Sequence, residues 1–122
     1  MEALEVNMYV RTKEGNIEKI CAIENEHIYT DDDYLSWYPS YKAFNKASHN
    51  IIDLIEVGDY VNGEKVSSIQ YEGMGFEHIK CIQTICKFDS LDNQFYTETY
   101  YNKDIKSILT KEQFEAIQYK VV

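Results

Sequence analysis

Proline and arginine are nearly missing from this chain of 122 residues, which holds a single copy of each, Pro39 and Arg11. One arginine and a net charge of −9 exclude the basic groove that direct nucleic-acid binding requires. Long apolar runs are missing too. The longest candidate, Ile51 to Val57, is broken by Asp53 and Glu56, far short of the roughly 18 apolar residues of a membrane helix. At the N-terminus, MEALEVNMYV puts acids where a signal peptide carries its basic segment, so the expectation is a soluble, cytoplasmic protein without membrane attachment. Cysteine is scarce and odd in number: Cys21, Cys81 and Cys86. Four residues separate the last two, and His27, His49 and His78 are scattered, so no metal-ligand spacing forms and no cofactor is expected. Three reduced, mostly buried thiols are the expectation.

Catalytic signatures are absent as well. The chain has no Gly-x-Ser-x-Gly elbow, Walker loop, His-Glu-x-x-His or dinucleotide fingerprint, and a non-enzymatic protein is expected. His49, between Ser48 and Asn50, reads as a hydrogen-bonded structural histidine before an apolar strand rather than a general base. The triplet Asp31-Asp32-Asp33 lacks the alternating ligands and the glycine of a calcium loop.

What the chain does have is enough apolar matter to fold, 44 % hydrophobic and 14 % aromatic residues. Its length suits a single domain, or two small lobes with an acidic meander over 1–47 and hairpins plus a helix over 48–122. Val6, Met8 and Val10 alternate with Asn7, Tyr9 and Arg11, the period of a half-buried strand. Glu14-Gly15-Asn16 turns the chain into a strand from Ile17 to Ile23, and a short strand follows at His27 to Thr30. Ser40 is placed to cap a short helix from Tyr41 to Ala47. Asn62-Gly63 is a strong hairpin signal, because both central residues of a type I′ turn need positive φ. Strands are expected at Glu64–Tyr71, His78–Phe88, Gln94–Tyr101 and Ile105–Leu109. Thr110 and Gln113 then form a capping box for a helix from Lys111 to about Tyr119. The predicted fold is mainly β (α+β): a small antiparallel barrel or strongly bent sheet of seven to eight short strands with a C-terminal helix.

Three blocks carry a resemblance: Asn7-Met-Tyr-Val-Arg-Thr-Lys13, Ala47-Ser-His-Asn-Ile-Ile-Asp-Leu-Ile-Glu-Val-Gly-Asp-Tyr-Val-Asn-Gly63, and Ile105-Lys-Ser-Ile-Leu-Thr-Lys-Glu-Gln-Phe-Glu115. Together they span about a third of the chain, and they resemble small proteins of clostridial and related Firmicute phages and prophages. The resemblance implies origin and context, not activity, and carries over no catalytic or binding residue. Residues 24–46 and 71–101 lie outside those blocks. In a phage context the expected role is counter-defence in the cytoplasm of the host cell.

Two surfaces suit that role. Residues 14–33 hold Glu14, Glu18, Glu24, Glu26, Asp31, Asp32 and Asp33 against Lys19 alone, a local balance of 1 − 7 = −6. Residues 1–61 carry 12 acids and 5 bases, net −7; residues 62–122 carry 9 acids and 7 bases, net −2. Acids on one face imitate nucleic-acid phosphates and fit the basic channel of a host defence protein, an anti-CRISPR-like inhibition with salt-sensitive, electrostatically steered association. The binding residues on this reading are Glu18, Glu24, Glu26, Asp31, Asp32 and Asp33, with the adjoining aromatics Trp37, Tyr38 and Tyr41. Ordinary solubilisation by an acidic face weighs about equally against it. The alternative is a sponge for a nucleotide second messenger of the cyclic nucleotide or cyclic ADP-ribose type. Its pocket would stack a base on Trp37, Tyr96, Tyr100 and Tyr101 and hold a phosphate with Arg11, with a homo-oligomer partner completing it. Tyrosines packed within strands are the plain competitor of that pocket.

Overall fold

A computed structural model of the chain describes residues 4–25, 27–31, 37–38, 44–73 and 78–118, with only the backbone described at 37, 38 and 87–89. Contact density divides the chain into two compact units, Met1–Leu54 and Ile55–Val122.

The first unit is a five-stranded antiparallel sheet of order β4-β3-β2-β1-β5. Its strands are β1 (Tyr9–Thr12), β2 (Ile17–Glu24), β3 (His27–Thr30), β4 (Trp37–Tyr38) and β5 (Phe44–Ser48). The β1–β2 turn closes as expected: Gly15 takes φ 88°, and the Asn16 amide donates to Thr12 Oγ1 at 3.0 Å. Met8, Val10, Ile20, Ile28 and Phe44 form the apolar core. The helix expected over 41–47 is overturned within its described part, because Phe44–Ser48 is strand β5, antiparallel to β1. Burying Phe44 while pairing the second edge of β1 outweighs the local helical preference. Ile51–Leu54, expected to open an apolar strand, is a 3₁₀ turn that buries Ile52 and Leu54. Ser48 begins it by donating its hydroxyl to Asp53 Oδ2 at 2.7 Å.

The second unit is another five-stranded antiparallel sheet, of order β10-β6-β7-β8-β9. It comprises β6 (Tyr60–Val61), β7 (Glu64–Glu72), β8 (Ile79–Asp89), β9 (Gln94–Tyr101) and β10 (Ile108–Leu109), then helix α1 (Lys111–Ile117). Asn62 and Gly63 take φ 54° and 83°, the doubly positive turn read from the sequence. The Asn62 side chain also fastens a distant segment. Its Nδ2 donates to Asp104 O at 3.0 Å, and its Oδ1 accepts from the amides of Lys106 and Ser107 at 2.8 and 3.1 Å. That segment opens with a 3₁₀ turn over Asn102–Asp104, so the strand expected from Ile105 shrinks to Ile108–Leu109. The capping box is present: Gln113 N donates to Thr110 Oγ1, and Thr110 N to Gln113 Oε1. Phe114 of α1 stacks on Tyr60 at 4.8 Å between ring centres. Asp59 is fully buried, its two oxygens accepting from Glu56 N at 2.7 Å and Lys111 N at 2.9 Å.

The mainly β composition and the C-terminal helix are as predicted, but the described residues close no barrel. Besides a register shift between Arg11 and Thr12 where β1 meets β5, three bulges explain much of the departure from strict alternation. They fall between Ile20 and Ala22, between Val66 and Ser68, and between Ile85 and Lys87. The skipped residues share a solution. Cys21 Sγ donates to Tyr29 O, Ser67 Oγ to Gln83 O, and Cys86 Sγ to Tyr96 O, each a carbonyl of the paired strand. Of the three cysteines expected to be mostly buried, Cys81 alone is; Cys21 is exposed and Cys86 half-buried.

Candidate binding surfaces

The acidic run does not form a single exposed face. On β2 Glu18, expected as a binding residue, is instead turned inward: it is 6 % exposed and accepts a hydrogen bond from Thr30 Oγ1. Glu18 shares the buried face of Ile20 by simple alternation, and the bulge at Cys21 then shifts the faces of the residues that follow. Glu18 and Ile20 point inward before it, and Ile23 and Glu24 are exposed after it. Asp31 is exposed but occupied, since its Oδ1 accepts the Lys19 amide at 2.8 Å while its own amide donates to Lys19 O at 3.0 Å. It extends the β2–β3 ladder by one rung. Glu24 is exposed at the end of β2, beside Asn25 with φ 50°. Lys19 lies over the Tyr9 ring at 5.6 Å, opposite it in the β1–β2 register. Glu26, Asp32, Asp33 and Tyr41 lie outside the described residues. Trp37 and Tyr38 form strand β4, paired with Tyr29 and Ile28 of β3.

The residues of the alternative pocket belong to both units. Arg11 is 1 % exposed, and its Nη1 donates to Leu54 O at 2.9 Å within the first unit. Tyr96, Tyr100 and Tyr101 belong to the second unit, and each hydroxyl donates to a carboxylate. Tyr96 donates to Asp92 at 2.7 Å, Tyr100 to Glu64 at 2.6 Å, and Tyr101 to Glu72. Glu64 Oε1 also accepts from Thr84 Oγ1 at 3.0 Å. These bonds hold the phenol protons. Tyr100 is pushed up to about 12, chiefly by the bond to Glu64, and Tyr96 and Tyr101 rise for the same reason with Asp92 and Glu72. Burial, with Glu72 nearby, raises the Cys81 thiol as well. Hydroxyls already committed to carboxylates make a negative surface, the opposite of a phosphate cradle.

His49 is exposed, and its Nε2 lies 2.7 Å from Glu5 Oε2. Among the described residues, no group of three or more His, Cys, Asp and Glu side chains is placed to hold a metal ion. Among them, too, no helix is long and apolar enough to cross a membrane.

Sequence reasoning missed two polar positions. Asp59 reads as a turn residue after Gly58, and nothing near it in the chain signals its bond to the α1 amide 52 residues on. The role of Asn62 is half legible: the dipeptide marks the turn, while its side-chain partners at 104–107 lie more than 40 residues away. The chain matches no protein-family model, no curated protein and no solved structure.

Proposed function

We propose that the protein is a non-enzymatic phage counter-defence factor that inhibits a nucleic-acid-dependent host defence protein through the acidic edge of its first sheet. One observation carries the reading. Strands β4, β3 and β2 lie side by side at one end of that sheet, so the aromatic strand Trp37–Tyr38 pairs with β3, which Asp31 follows, and lies one strand away from β2, which ends at Glu24. The one base of residues 14–33, Lys19, is drawn over Tyr9. Carboxylates beside an aromatic strand suit a Lys/Arg-lined channel, where rim charges set the association rate and its salt dependence. Glu18, buried against Thr30, serves the fold instead.

A DNA-cleavage assay with a purified RNA-guided nuclease tests the proposal. Added protein is expected to inhibit cleavage at low salt and progressively less as salt rises. Because Asp31 holds the Lys19 amide, charge reversal belongs at Glu24, Asp32 and Asp33. That triple lysine variant is expected to lose inhibition at an unchanged melting temperature. Inhibition that survives the reversal would sink the acidic-edge reading. A thermal-shift screen with cyclic nucleotides and cyclic ADP-ribose isomers guards the other side. A ligand at 100 times its Kd adds about 2.7 kcal/mol, and such a shift would replace inhibition by sequestration.

A further inference from the structure

We draw no further inference here: the strongest candidate, the exposed apolar surface of the second sheet around Tyr71 and Ile79 at the β7–β8 end, carries nothing because no observation in the structure shows what covers it.

Discussion

The two sheets are built alike and differ in how much apolar surface they leave exposed. Each has five antiparallel strands: sequence neighbours paired by hairpins, plus one strand recruited from farther along the chain, β5 beside β1 and β10 beside β6. The first sheet buries polar groups: Arg11, Thr12, Glu18 and Thr30 all lie inside with Val10 and Ile20. The second exposes apolar ones, including Tyr71, Ile79, Leu91 and Phe95 along β7–β9 and their connections. Composition alone would not separate them. What separates them is the apolar surface left exposed, not the satisfaction of buried polar groups. Among the described residues no buried side-chain nitrogen or oxygen lacks a partner, so the first sheet can hold an arginine and a glutamate without an orphaned polar group. The second leaves more than half of Tyr71, Ile79 and Phe95 in contact with solvent.

The contrast can be broken or sharpened by substitution. The largest effect is expected in the first core. Ile20→Ala removes a fully buried side chain and should cost about 3 kcal/mol in a urea unfolding series. Asp59→Ala comes next, at about 2 kcal/mol, because the amides of Glu56 and Lys111 lose their acceptor. Retention of full stability in that variant would show that water replaces the carboxylate. Thr110→Ala removes the helix cap and should cost about 1 kcal/mol by the same titration. A pH series addresses the carboxylate–phenol pairs of the second sheet. The Tyr100 phenol is raised to about 12, so its contribution to stability is complete below its ordinary value near 10. That contribution should disappear as pH climbs through about 12, and Tyr100→Phe should flatten this alkaline loss. The smallest effect is expected at Phe95→Ser, within about 0.5 kcal/mol of the parent. A loss comparable to Ile20→Ala would mean that the β8–β9 arm is covered, and the comparison would collapse.

Local chemistry made most of the second unit legible. Asn62-Gly63 fixed a turn through backbone sterics alone, and Thr110 with Gln113 announced α1. The strands from 64 to 101 were readable from β-branched and aromatic runs between turn residues. Segment 44–54 was not. Phe44–Ser48 becomes a strand because β1 offers it an edge, and Ile51–Leu54 coils because its apolar residues already reach the interior from a 3₁₀ turn. Both are tertiary decisions that no local pattern carries. The candidate site was partly legible for a similar reason. Counting acids located the charged stretch, but Glu18 lies on the buried face of Ile20, and a single bulged residue, Cys21, puts Glu24 on the other face. Counting aromatics located the tyrosines of β9, but not the carboxylates that already hold their hydroxyls.

The clamp around Asn62 bears on how the protein ages. An asparagine followed by glycine is the sequence most prone to deamidation, in which the next residue's backbone nitrogen attacks the side-chain carbonyl and ammonia leaves. Here that carbonyl oxygen is held by two amides and the leaving nitrogen by the Asp104 carbonyl. The side chain therefore has to abandon three bonds before it can swing toward the Gly63 nitrogen. Folding thus sets the chemical clock at this position: the native chain keeps its asparagine, while each passage through the unfolded state exposes it. Once converted, the residue can no longer donate to Asp104, and the hairpin loses its hold on the segment that leads into α1.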